Sequence, residues 1–121
     1  MYKLELEVPA LPKSLNKKLR WGGKFSNRGE NRQWDAAMIV MLRGKLPAQP
    51  LPKARIRLVR HFWRTLDYDG LVGSMKPVVD ALVDAGVLVD DSWKVLGQWD
   101  VDQVFRPKKD GPLLRIEVVE L

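Results

Sequence analysis

Four aspartates gathered in one stretch of a basic chain set the chemical question. Asp67 and Asp69 stand one residue apart, and Asp90 and Asp91 are adjacent. Between the pairs, a segment with helical spacing carries Lys76 and Asp80. At the end of an extended strand residues i and i+2 point the same way, so both carboxylates of the first pair can face one ion. A helix that returned Asp90 and Asp91 to the same side would collect carboxylates whose repulsion calls for a cation. With Mg²⁺ among them, such a group can hold a water nucleophile and polarise a phosphate oxygen for in-line attack. The plainer alternative is a chance DxD, with Asp90-Asp91-Ser92 serving as a turn or a cap. Spacing alone leaves the two readings level. Lys76 likewise either orients water or neutralises a phosphate, or forms an ordinary i,i+4 pair with Asp80.

The rest of the composition narrows the choice of ion and partner. The chain has 121 residues, no cysteine and a single histidine, His61. Thiolate and histidine-rich metal sites are therefore excluded, and oxygen ligands favour a hard ion, Mg²⁺ with Mn²⁺ as substitute. A net charge of +6 points to an acidic partner, nucleic acid before membrane. No apolar run approaches the ~20 residues of a membrane helix, and the N-terminus alternates instead of forming a signal core. The expectation is one domain over residues 1–121, cytoplasmic in a bacterial cell and associated with nucleoid DNA, with no membrane and no organic cofactor.

The elements that must position the acids follow from periodicity. Tyr2, Leu4, Leu6 and Val8 alternate with Lys3, Glu5 and Glu7, which predicts a strand. The polar run from Lys13 to Arg32 reads as a loop broken by Gly22, Gly23 and Gly29. It holds Lys13, Lys17, Lys18, Arg20, Lys24, Arg28 and Arg32 against one acid, Glu30. Seven cations in twenty residues favour phosphate contact. Trp21 and Phe25 among them are balanced between stacking on an unpaired base and packing on the core.

A helix is predicted from about Gln33 to Lys45, with Trp34, Ala37, Met38, Met41 and Leu42 on its core stripe. Ala54 to Trp63 alternates as a second strand, with Ile56, Leu58 and Phe62 on one face. Arg55, Arg57 and His61 share the other face, under nucleic acid or in solvent. A helix capped by Ser74 and ended by Gly86 places Leu71, Met75, Val78, Val79, Leu82 and Ala85 on one stripe, with Gly70 to Gly73 as a flexible link. Lys94 to Phe105 and Leu113 to Leu121 are the remaining strands. The result is a small α+β domain of order β-α-β-α-β-β, two helices on a mixed four-stranded sheet.

Asp67-x-Asp69, then Lys76-Pro77-Val78-Val79-Asp80-Ala81-Leu82, then Asp84-Ala85-Gly86-Val87 and Asp90-Asp91-Ser92, resembles the RusA family of Holliday-junction resolvases. It looks especially like the members carried by phages and prophages. The motif spans about thirty residues, with weaker agreement across the chain, including a proline-rich turn with Ser14 and Asn16 before the basic loop. The resemblance implies a Mg²⁺-dependent homodimeric endonuclease that nicks four-way DNA junctions in symmetric pairs. By matching position it assigns catalysis to Asp67, Asp69, Lys76 and Asp91, metal binding to Asp67, Asp69, Asp90 and Asp91, and a supporting role to Asp80. The expected DNA contacts are Lys13, Asn16, Lys17, Lys18, Arg20, Lys24, Arg28 and Arg64.

Two departures matter. The family usually has Asn after DxD, and here it is Gly70. The interval from the second Asp to the lysine is also three residues longer, a shift of ~4.5 Å if all of it is helical. A loop-out at Gly70 to Gly73 is expected to absorb it. The competing reading is a protein that binds branched DNA with impaired cleavage; a metal-dependent phosphate esterase acting on small substrates ranks last.

Overall fold

The computed structural model describes residues 1–12 and 24–121, with the backbone course alone for residues 24–28. Strand β1 (Lys3–Val8) is followed by helix α1 (Lys24–Met41) and strand β2 (Ala54–Phe62). Three helices come next: α2 (Tyr68–Ser74), α3 (Lys76–Asp84) and the single turn α4 (Trp93–Leu96). Strand β3 (Asp100–Phe105), a 3-10 turn (Lys108–Asp110) and strand β4 (Leu113–Glu120) complete the chain.

The sheet order is β1-β4-β2-β3. Strand β4 is antiparallel to both β1 and β2, and β3 runs parallel to β2. The carboxyl ends of β1, β2 and β3 therefore lie at one edge of the sheet, beside the start of β4. The expected α+β class with a mixed four-stranded sheet is what the chain forms.

Alternation puts every second residue of the central strands on one face. Leu4, Leu6 and Val8 of β1, Ile56 and Leu58 of β2, and Leu114, Ile116 and Val118 of β4 are all buried there. Trp34 and Met38 of α1, Leu42 just past its end, and Val78, Val79 and Leu82 of α3 close over them. Each such side chain contributes roughly 1.5–3 kcal/mol on burial. The stripe expected of α1 is thus the one it buries. The other sheet face is polar and paired within itself: Arg115 meets Glu5, Glu7 and Glu117, and Arg57 meets Asp100 and Asp102. Arg57, one of the cations expected either under nucleic acid or in solvent, is held by its neighbours on β3.

Four local expectations are corrected. Helix α1 begins at Lys24 and not near Gln33, so the polar run from 24 to 32, Gly29 included, is helical. Among the described residues nothing lies within 4 Å of where a Gly29 Cβ would be. The segment 70–73 is not a link but the body of α2. Ser74 is not an N-cap: it ends α2, fully buried, with its hydroxyl donating to the Leu71 carbonyl at 2.7 Å. The third strand starts at Asp100, because Trp93 to Leu96 turns once as α4 with Leu96 as its buried residue.

Candidate metal and phosphate site

Strand β2 delivers the chain to the first acidic pair. Past its end, Gln103 of β3 clamps the connecting segment: its amide nitrogen donates to the Leu66 carbonyl at 2.8 Å, and its amide oxygen accepts from the Leu66 N–H at 3.0 Å. Asp67 follows at once and caps α2, its extended backbone (φ −67°, ψ 164°) placing Oδ1 to accept from the Gly70 N–H at 3.2 Å. Asp69 lies in the first turn of the same helix, where a negative charge suits the dipole. Gly70 makes this cap possible. A Cβ built there would stand 2.6 Å from Asp67 Oδ1, and nothing but the Asp67 side chain comes near it.

The chain then breaks at Met75 and restarts as α3. Pro77, lacking an N–H, is tolerated in that first turn. The three extra residues before Lys76 are accommodated by this second helix start, not by a loop. Lys76 is the first residue of α3, where the dipole disfavours a cation. Two carboxylates offset that. Asp80, one turn on, takes Nζ at 2.9 Å, and Asp91 takes it from beyond the helix. The pair with Asp80 is the ordinary i,i+4 contact; the one with Asp91 is a tertiary contact across fifteen positions.

Asp91 is brought there by a defined return. Helix α3 ends in a Schellman turn, with the Val87 N–H on the Leu82 carbonyl at 3.0 Å and Gly86 N–H on Val83 at 3.1 Å. Gly86 takes φ +92°, a conformation costly for a side chain. Leu51 then grips the emerging segment through Val87 and Val89, at 2.9 and 3.1 Å. Asp90 and Asp91 follow, the Asp91 N–H donating to Asp90 Oδ1 at 2.8 Å.

Charge states follow from these contacts. Burial pulls the Lys76 pKa down, but its hydrogen bonds to Asp91 and Asp80 outweigh this and leave it raised. Hydrogen bonding from Lys76 holds the Asp91 carboxyl below its ordinary value. Lys76 is therefore an ammonium at neutral pH, suited to balancing phosphate charge and unsuited to taking a proton.

The structure divides the predicted acids between two helix starts. Asp67 and Asp69 open α2; Asp91 joins Lys76 and Asp80 at the start of α3, about 10 Å of helix further on. Among the described residues no three His, Asp or Glu side chains form one cluster able to hold a metal ion. The convergence expected of Asp67, Asp69, Asp90 and Asp91 is thus not present as a single group. Three of these carboxylates instead have partners of their own: a backbone N–H for Asp67, a backbone N–H for Asp90, and an ammonium for Asp91. The donor set itself, exposed or half-exposed and all oxygen, has the chemistry a hard divalent ion takes.

Of the predicted DNA contacts, Lys13, Asn16, Lys17, Lys18 and Arg20 lie outside the described residues, as do the side chains of Lys24 and Arg28. Arg64 is exposed at the sheet edge just before Asp67. Sequence reasoning missed Asp35. It sits on α1 against α3, and its pKa is raised by burial first, then by the charge and hydrogen bond of Asp84 and the charge of Asp80. The signal was its place next to Trp34, at the margin of the buried stripe.

Among the described residues no helix is long and apolar enough to cross a membrane. Compared with known proteins, the chain matches no family model, and no curated protein is significantly similar to it.

Proposed function

We propose that the protein is a Mg²⁺-dependent, structure-specific endonuclease that acts on four-way DNA junctions as a homodimer, nicking them in symmetric pairs. The observation that carries this reading is Lys76. An ammonium stands at a helix start that disfavours it, held by Asp80 and Asp91, one short helix away from Asp67 and Asp69. The two carboxylates offset the dipole, and the same ammonium, 54% exposed beside them, is placed to neutralise a phosphate. The resemblance of the same residues to the RusA motif, the net charge of +6 and Arg64 beside the acids support the same substrate.

The donors available to the ion would be Asp67 and Asp69 at the start of α2, joined by Asp91, with Asp90 adjacent, only once Asp91 is drawn from Lys76 across the length of that helix. When bound, Mg²⁺ supplies Lewis acidity at the scissile phosphate and lowers the pKa of water. Lys76 balances charge on the phosphate oxygens and releases Asp91 for the ion as it does so. Gln103 fixes the course of the chain into Asp67, and Asp80 keeps Lys76 in place when Asp91 is engaged elsewhere. The alternative of a binding protein with impaired cleavage is favoured by one feature, the Asp67 carboxylate turned into its own helix cap.

The test is nicking of a synthetic four-way junction against linear duplex of the same sequence, with and without Mg²⁺, for wild type and Asp69→Asn. Paired nicks that require Mg²⁺ and vanish in the variant, while binding persists, are expected. Tight junction binding without cleavage in Mg²⁺ or Mn²⁺ transfers the assignment to the binding protein, and indifference to the junction overturns both.

A further inference from the structure

Strand β2 carries one residue that its pattern does not predict. Arg60 falls in phase with Ile56 and Leu58, on the face that packs against the helices, and it is only 6% exposed. Its Nε has no hydrogen-bond partner, and it makes no ion pair among the described residues. Burial lowers its pKa from the ordinary value, the mark of a guanidinium stripped of water. A buried guanidinium nitrogen without an acceptor among the described residues is a standing cost, one that an anion arriving from outside beside it would offset.

Arg60 lines a cavity of about 560 Å³ at the sheet edge where β1, β2 and β3 end. That volume lies within the range of ligand sites, ~300–1,000 Å³. Arg64 and Lys108 contribute two more cations, and no carboxylate lines it among the described residues. Phe62 and Trp63 add an aromatic part to the rest of the wall, otherwise made of Leu11, Pro12, Thr65, Leu66 and Pro112. The Arg60 guanidinium lies 4.5 Å from the centre of the Phe62 ring, and Trp63 stacks on Phe62 at 3.8 Å. Trp63 is half-buried and lines the cavity. Leu66, the residue before Asp67, closes the cavity on the side of the acids.

We propose that this cavity binds a single nucleotide, its phosphate on Arg60, Arg64 and Lys108 and its base against Trp63. Three cations without a counter-charge select the phosphate, and a planar aromatic wall selects a base over a bare sugar phosphate. The nucleotide is either free or one unpaired residue of a strand. In the second case the inference deepens the nuclease reading, since Leu66 joins the cavity to Asp67 and a nucleotide held here fixes the strand beside the acidic pair.

The test is equilibrium binding of thymidine 5′-monophosphate in EDTA, followed by calorimetry, so that neither Mg²⁺ nor cleavage enters. Wild type is expected to bind it saturably and at least tenfold more tightly than ribose 5-phosphate or inorganic phosphate. Arg60→Met is expected to weaken binding at least tenfold while melting no lower than wild type, because it removes an unpaired buried charge. Should that variant not fold, Lys108→Ala and Trp63→Ala, at exposed and half-exposed positions, carry the test with the same expected loss. Displacement by tetrathymidylate assigns the site to a strand; failure of the oligonucleotide to compete assigns it to free nucleotide. The proposal is overturned if thymidine monophosphate binds wild type and the variants alike, or no better than ribose 5-phosphate. Asp69→Asn keeps this binding, so loss of the nuclease reading leaves the result intact.

Discussion

The contact between Gly70 and Asp67 can be measured by a double-mutant cycle, because two effects of similar size oppose each other there. Gly70 is helical with no positive φ, so alanine fits its backbone, and the exchange should gain up to about 1 kcal/mol in helix propensity. The new Cβ, however, would stand 2.6 Å from Asp67 Oδ1 and must drive the carboxylate off its cap. Losing an aspartate cap costs about 1 kcal/mol. Gly70→Ala in the wild type should therefore leave stability nearly unchanged. In an Asp67→Ala background no cap remains to lose, and Gly70→Ala should stabilise by about 1 kcal/mol. The expected coupling between the two positions is about 1 kcal/mol, above the ~0.5 kcal/mol found for independent sites. Urea unfolding of the four proteins gives it directly. A gain of the same size in both backgrounds would refute the cap, and with it the steric role given to Gly70. The cycle also bears on catalysis, since a side chain at position 70, such as the asparagine usual in the RusA motif, should turn the Asp67 carboxylate away from its own helix.

Three further outcomes follow. In Lys76→Met the Asp91 pKa should rise toward its ordinary value in an NMR titration, and junction cleavage should be lost. The stability cost should stay below about 1 kcal/mol, since the lysine is 54% exposed and its pairs are screened. Asp35→Asn should raise the melting temperature at neutral pH: the Asp35 pKa is raised in the fold, so its stabilising form is the protonated one, and that contribution is lost as pH rises through the raised value. The difference between the two proteins should close as pH falls below the ordinary value of 3.8. Gln103→Leu removes both hydrogen bonds to Leu66 and leaves a part-buried N–H and C=O unpaired; it should cost about 1–3 kcal/mol and speed amide exchange at Leu66.

The parts of this fold legible in the sequence are those where one periodicity acts alone. Strands β1 and β4 alternate without interruption, and Trp34, Met38 and Leu42 fall at helical spacing, so each could be read from burial pattern. Helix α2 could not. Gly70 and Gly73 resemble a linker, and the helix exists because of contacts that composition does not reveal: the Asp67 cap, the Ser74 hydroxyl on Leu71, and burial of Leu71. The start of α1 was hidden for the related reason that its first turns carry no apolar stripe. In the site, the position of Lys76 between two acidic pairs was visible, and its i,i+4 partner Asp80 followed from spacing. The contact with Asp91 was not, because it depends on the Schellman turn at Gly86 and the grip of Leu51. Arg60 is absent from the sequence reading of either face, although counting by twos from Ile56 puts it on the inward one.

The position of β4 has a consequence for how the chain acquires this structure. It follows the other three described strands in sequence, yet it lies between β1 and β2 and pairs with both along their length. No two strands that follow one another in sequence form a hairpin; the one neighbouring pair, β2 and β3, is joined in parallel across three helices. Every ladder therefore waits for a long loop to close, and β1 cannot join β2 and β3 in the sheet until β4 is made. Such a topology belongs to the slower two-state folders. Until Leu114, Ile116 and Val118 arrive, the apolar faces of β1 and β2 have no strand between them, and the strand edges that β4 covers stay open to pairing with other copies.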